Sequence, residues 1–255
     1  MNDNGANRGT AVVTGASSGI GAATARALAD SGYRVIAAAR RTDRLAALER
    51  ESDRIEAREL DVTDQASVDA LVESLRGEDV TLLVANAGGS FDAATIADAD
   101  INAWQRAYDV NVLGTVRTVS AVLPLLITSG RGLVVLMGST AGRVSYENGG
   151  SYVAAKHAVA AIAGTLRLEL SGQPVRVTEI APGMVRTDEF AMKRFGGDAE
   201  KAAAVYAGVA EPLTAQDVAE TVTWVATRPA HVNVDLLVVR PVAQAAQHKV
   251  HRVHP

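Results

Sequence analysis

The chain has 255 residues, 48% hydrophobic and 21% charged, with a net charge of −4, a balance that suits one α/β domain with a sizeable core. The acidic excess argues against a nucleic-acid partner, and no unbroken apolar run approaches the roughly eighteen residues that span a bilayer. Cysteine is absent, which excludes disulfides, thiol nucleophiles and cysteine-ligated metals and fits a cytoplasmic protein.

Residues 1–9 read as a disordered, polar leader without the apolar core of a signal peptide. From residue 10 onward, short apolar runs alternate with helical patterns. Strands are predicted over 10–14, 34–38, 56–60, 81–85, 133–137, 175–180 and 236–239, and helices over 20–31, 67–76, 101–126, 152–170 and 215–227. Several strand segments are almost continuously apolar, as parallel strands covered on both faces are. The alternation predicts an α/β fold: a Rossmann-like, doubly wound parallel sheet of about seven strands with helices on both faces, forming a single domain over 10–243. Two segments break the rhythm. Residues 187–213, with Gly196, Gly197 and Gly208, read as a mobile lid. Residues 244–255 lack a core pattern and read as a frayed or subunit-contact tail. Its histidines at 248, 251 and 254 are spaced for one helical face, but the neighbouring Val250, Val253 and Pro255 argue against an ordered site, so no metal is expected.

The run Gly15-Ala16-Ser17-Ser18-Gly19-Ile20-Gly21 follows the first strand and opens the first helix. An open α/β sheet binds phosphate at such a place, because the helix N-terminus offers unpaired N–H groups and a partial positive charge. Gly15 suits a positive-φ turn, Gly19 removes a side chain where a pyrophosphate approaches, and Gly21 permits close packing. The second strand ends in Arg40-Arg41 rather than in a carboxylate, a pair able to take a ribose 2′-phosphate bidentately and so to favour NADP(H) over NAD(H). Asp61-Val62, after the third strand, falls where an adenine edge would lie, although Asp before a helix is also an N-cap.

Tyr152 and Lys156 stand four apart at the start of a predicted helix and share one face. A cation beside a phenol favours the phenolate, so Lys156 is expected to lower the Tyr152 pKa toward working pH, making the phenol an acid/base for an alcohol–carbonyl exchange. Ser139 follows a strand at the ligand-binding edge of the sheet, where its hydroxyl can meet a substrate oxygen. Asn111 is a polar interruption of an apolar helix.

Together TGASSGIG at 14–21, NAG at 86–88, Asn111, Ser139, Tyr152-x3-Lys156 and Pro182-Gly183 resemble the short-chain dehydrogenase/reductase family in order and spacing over residues 10–242. The resemblance implies that Tyr152 is the acid/base, Ser139 orients substrate, and Lys156 binds ribose hydroxyls and tunes Tyr152. It also implies that the backbone carbonyl of Asn111 anchors a water relay. Asn86, Ala87 and Gly88 would line the adenine ribose, and Pro182, Gly183, Val185 and Thr187 would embrace the nicotinamide. Ala85 departs from the family's usual Asn. The downstream segments, among them Thr187-Asp188-Glu189-Phe190 and Arg240-Pro241, resemble NADP-dependent 3-hydroxy acid dehydrogenases and clavulanate-type aldehyde reductases. A carboxylate substrate needs a cation, for which Arg186, Arg194 and Arg143 are candidates; each reads equally as a surface residue. A 3-oxoacyl reductase or a non-catalytic NADP(H)-binding sensor are the alternatives. Relatives suggest a homotetramer (or dimer) packed through the helices over 101–126 and 152–170, with Leu166, Leu168 and Leu170 divided between interface and core.

Overall fold

Seven parallel strands in the order β3-β2-β1-β4-β5-β6-β7 form the centre of the computed structural model, which describes residues 8–253. In chain order the elements are β1 (Thr10–Thr14), α1 (Gly19–Asp30), β2 (Arg34–Ala39), α2 (Thr42–Glu49), β3 (Ile55–Glu59), α3 (Gln65–Ser74) and β4 (Val80–Ala85). Next come α4 (Ile101–Tyr108), a π-turn (Asp109–Leu113), α5 (Gly114–Thr128), β5 (Gly132–Met137), a short 3-10 turn (Thr140–Gly142), α6 (Gly150–Glu169) and β6 (Val175–Pro182). The chain finishes with α7 (Phe190–Arg194), α8 (Ala199–Ala204), α9 (Ala215–Ala226), β7 (Leu236–Val239) and a small hairpin of β8 (Gln244–Ala246) and β9 (Lys249–Val250).

Because strand side chains alternate, the two sheet faces build separate cores. Ala11 and Val13 of β1 join Ala25 and Leu28 of α1 and Val218 and Val222 of α9. Val12 faces the other way, into a cluster with Leu71 of α3, Val122 and Leu126 of α5 and Val159 of α6. Burial on both faces explains why the strands read as nearly unbroken apolar runs. The strand order reverses between β1 and β4, and the crevice beyond their C-terminal ends is where a doubly wound sheet binds ligands.

Several expectations change. The helix predicted over 101–126 is divided by the π-turn centred on Asn111, whose side-chain Nδ2 donates to Ala107 O (2.8 Å) and to Gly89 O (2.9 Å). A side chain that bonds the preceding turn and an outside loop together widens the helix locally. The run Ile101–Thr128 reaches a mean hydropathy of 1.7 over its most apolar window, long and apolar enough by composition to cross a membrane; 44% of that window is buried within the domain. Val119, Val122 and Leu126 pack on the sheet, whereas Leu113 and Val116 remain exposed.

The expected leader lies outside the described residues as far as residue 7. Arg8 and Gly9 are tied into the fold: Arg8 Nε donates to Ser31 O (2.8 Å) and Arg34 N to Gly9 O (3.1 Å). The expectation of a frayed tail is corrected over 244–253, and His254 lies outside the described residues. Gln244 is buried, His251 N donates to Ala243 O (2.8 Å), and Val253 N donates to Gly208 O (2.8 Å). Backbone pairing with the lid, rather than an apolar pattern, holds this segment, so periodicity gave no sign of it. The segment over 187–213, read from sequence as a lid, is tied together at its base, where Arg186 N donates to Leu213 O (2.7 Å) and Leu213 N to Met184 O (3.0 Å).

Candidate active site

The glycine turn is built by Thr14 at the end of β1. Its Oγ1 accepts from Asn86 N and Ala87 N, both at 3.0 Å, and Asn86 Nδ2 donates to Thr14 O (2.9 Å). This stitching joins the turns after β1 and β4 across the point where the strand order reverses. Gly15 sits at φ +70°, and a Cβ there would stand 2.9 Å from Ala87 Cα; a Cβ on Gly21 would overlap Gly15 O. Only glycine satisfies both places. Ser18 is the N-cap of α1 yet makes no side-chain cap bond. The first-turn N–H groups are therefore left for an anion from solution, as a bound dinucleotide phosphate requires.

Arg41 rather than Arg40 is built into this turn. Arg41 Nε and Nη2 donate to Ser17 Oγ (3.1 and 2.9 Å), Nη2 also to Ser18 Oγ (2.8 Å), and Nη1 to Glu189 Oε1 (2.6 Å). Arg40 lies on the rim, 64% exposed and 3.8 Å from Asp61 Oδ2. Asp61 Oδ1 accepts from Thr63 N (3.0 Å) and Thr63 Oγ1 (2.8 Å). Burial would raise its pKa, but those bonds and the nearby Arg40 hold it below the usual value.

The three candidate catalytic residues converge beyond β5. Ser139 caps the 3-10 turn, its Oγ accepting from Ala141 N (3.1 Å). Tyr152 lies in the first turn of α6, buried edge-on against Phe190 of the lid at 5.4 Å between ring centroids. One turn later Lys156 Nζ donates to Met137 O (2.8 Å), 5.7 Å from the centroid of the Tyr152 ring. The expected lowering of the phenol's pKa is corrected. Burial pushes Tyr152 well above its usual range and outweighs the hydrogen bond with Ser139. Burial also brings Lys156 down to about 8, against the pull of Glu179. A phenol held neutral in this way is a proton donor.

Asn111 is buried beneath this group and does not line the cavity. Its Oδ1 accepts from Gly89 N (3.1 Å) and its backbone O from Thr115 Oγ1 (2.7 Å). A Cβ on Gly88 would stand 2.5 Å from Asn111 Oδ1 and 3.6 Å from Lys156 Nζ, so Asn111 positions the Gly88-Gly89 turn directly beside the lysine.

One cavity of about 510 Å³ runs from Arg41 to Tyr152, and every residue expected from sequence to touch a dinucleotide, from Gly15 through Asn86 to Thr187, lines it. The three candidate arginines separate. Arg194 lines the cavity, its guanidinium 5.4 Å from the Tyr146 ring centroid; Nη2 donates to Asn148 O (3.0 Å), while buried Nε has no hydrogen-bond partner. Arg186 does not line it and lies over the Tyr206 ring at 5.2 Å. Arg143 is taken by Glu179, a fully buried carboxylate of β6. Sequence reasoning missed Glu189, Tyr146, Gln244 and Gln247. Gln244 Oε1 accepts from Met184 N (2.8 Å), and Thr140 Oγ1 donates to Gln247 Oε1 (2.8 Å). Two glutamines in a polar tail carry no chemical signature, so only the fold reveals them.

A doubly wound sheet whose crevice unites a phosphate turn with serine, tyrosine and lysine defines a nucleotide-dependent oxidoreductase acting on CH–OH groups. The family model for short chain dehydrogenases matches residues 9–195. The chain is 52% identical over 242 residues to an uncharacterized oxidoreductase of Mycobacterium tuberculosis, covering 95% of this chain and 94% of that one. It is 39% identical over 245 residues to the NADP-dependent 3-hydroxy acid dehydrogenase of Escherichia coli K12, covering 94% and 98%. The closed form of a serine dehydrogenase complexed with NADP+ superimposes with a TM-score of 0.90 at 38% identity, covering 96% of this chain and 100% of that one. The chain belongs to the short-chain dehydrogenase family.

Proposed function

We propose that this protein transfers a hydride between NADP(H) and a small hydroxy or carbonyl substrate, specifically a 3-hydroxy acid or its semialdehyde. The observation that carries the reading is Arg41: a guanidinium seated on the serines of the phosphate turn shares one cavity with Tyr152. No carboxylate ends β2 to grip an unphosphorylated ribose diol. The nicotinamide, when bound, supplies the hydride donor or acceptor and, oxidised, a positive charge near the phenol. In reduction the Tyr152 hydroxyl gives its proton to the substrate oxygen, and in oxidation it takes that proton back. Ser139 Oγ hydrogen-bonds the same oxygen, the Lys156 ammonium favours the phenolate left behind, and Asn111 holds the turn against which Lys156 rests. The carboxylates implied by the names of the two characterised relatives call for a cation at the substrate end, and Arg194 has a buried Nε to offer.

The proposal extends to a cytoplasmic homotetramer (or dimer). Leu168 is 80% exposed on α6, and Leu113 and Val116 are exposed on the run before β5, whereas Leu166 and Leu170 belong to the core. The test is a purified-enzyme panel of serine, 3-hydroxypropionate, small aldehydes and 3-oxoacyl thioesters with NADP(H) and NAD(H). Turnover of the 3-hydroxy acids with NADP+ supports the reading. Equal or tighter use of NAD(H), or no turnover of any hydroxy acid or aldehyde, overturns it.

A further inference from the structure

We infer that Glu189 is a built-in competitor for the cofactor's 2′-phosphate, so that this lid carboxylate sets the affinity for phosphorylated cofactor. The inference rests on the NADP(H) reading above and goes beyond it, because it assigns a role to an acidic residue in a site expected to be cationic. Glu189 immediately precedes α7 in the lid, 148 positions from its main partner, Arg41. Its Oε1 accepts from Arg41 Nη1 (2.6 Å) and from Arg44 Nη1, and its Oε2 from Lys193 Nζ (2.7 Å) and Ser18 Oγ (3.2 Å). Four donors on one carboxylate, three of them cationic, form the surroundings of a phosphate monoester rather than of an ordinary surface glutamate. Three positive groups exceed what one carboxylate neutralises, and the surplus draws a further anion to the place.

Burial would raise the Glu189 pKa, but the bonds from Arg41 and Lys193 outweigh it and hold the carboxyl at about 2. The group is therefore ionised at any working pH, and a ligand, not a proton, is what displaces it. All three kinds of Arg41 donor are already engaged, at Ser17, Ser18 and Glu189. A 2′-phosphate, with a charge of about −1.5 to −2 near neutral pH, that pairs with Arg41 at Nη1 displaces Glu189 or lies against it. Either course makes Glu189 an opponent of the phosphorylated cofactor and leaves NAD+, which lacks that phosphate, almost untouched. Displacement also releases the lid at the residue next to Phe190, which packs on Tyr152.

The experiment is calorimetric titration of the wild-type protein, Glu189→Gln and Glu189→Ala with NADP+, adenosine 2′,5′-bisphosphate and NAD+ at two salt concentrations. Both variants are expected to bind the two 2′-phosphorylated ligands on the order of tenfold more tightly at low salt, and NAD+ within about twofold of wild type. The gain is expected to shrink at high salt. Unchanged or weaker binding of the phosphorylated ligands by both variants, with far-UV circular dichroism intact, overturns the inference: Glu189 would then organise Arg41 rather than compete for it. A wild-type protein that binds NAD+ as tightly as NADP+ overturns the cofactor reading and this inference with it, whereas wild-type preference for NADP+ with unresponsive variants sinks this inference alone.

Discussion

Lys156→Met is expected to stabilise the protein while abolishing its activity. The ammonium is buried, and burial brings its pKa from 10.5 to about 8, which corresponds to about 3 kcal/mol of unfavourable burial at neutral pH. Methionine of similar length removes that cost but forfeits the hydrogen bond from Nζ to Met137 O, worth about 1 kcal/mol. The balance is a gain of about 2 kcal/mol at pH 7, or roughly 4–8 °C in Tm for a domain of this size. The pH dependence is the sharper test. Below about 8 the lysine is charged in both folded and unfolded chains, and the folded wild type bears the whole cost. Between about 8 and 10.5 the folded chain loses its proton first, so wild-type stability rises relative to the variant and the gap closes. Above 10.5 the wild type retains only the advantage of its hydrogen bond. Denaturant melts of both proteins from pH 7 to pH 10.5 measure the gap. A variant less stable than wild type at pH 7, or a gap independent of pH, refutes the reasoning.

Three further outcomes are expected. Tyr152→Phe lowers turnover by roughly 10²- to 10⁴-fold while NADP+ binding in a fluorescence titration stays near wild type; a near-normal rate removes Tyr152 from proton transfer. Gly138→Ala places a Cβ on Glu179 Oε1, inside a carboxylate that is 0% exposed. It should cost about 1–3 kcal/mol in denaturant unfolding, and a neutral result would mean that Glu179 is not wedged there. Arg194→Met raises KM for 3-hydroxypropionate by about tenfold or more and leaves an uncharged aldehyde little changed; equal effects on both substrates would detach Arg194 from carboxylate recognition.

Reading the strands, the phosphate turn and Tyr152-x3-Lys156 needed only neighbouring residues. A doubly covered parallel strand is apolar along its whole length, a positive-φ turn demands glycine locally, and two residues four apart on a helix must share a face. Gly15, Gly21, Tyr152 and Lys156 were legible for that reason. What the tertiary structure decided depends on distances between parts of the chain far apart in sequence. Arg40 and Arg41 are indistinguishable in a string, yet one points to the rim and the other onto Ser17 and Ser18. Arg143, Arg186 and Arg194 read alike in the string, and only the fold pairs the first with Glu179, lays the second over Tyr206 and brings the third to the cavity. The phenol's pKa followed the same rule: the spacing to Lys156 is local, but burial, which wins, is set by Phe190, Tyr146 and Ala141, which pack with Tyr152 from other segments of the chain. Sequence thus determined which chemical groups stand at the crevice of the sheet. Only the folded chain decided which of them meet and with what charge, because desolvation and ion pairing act through space.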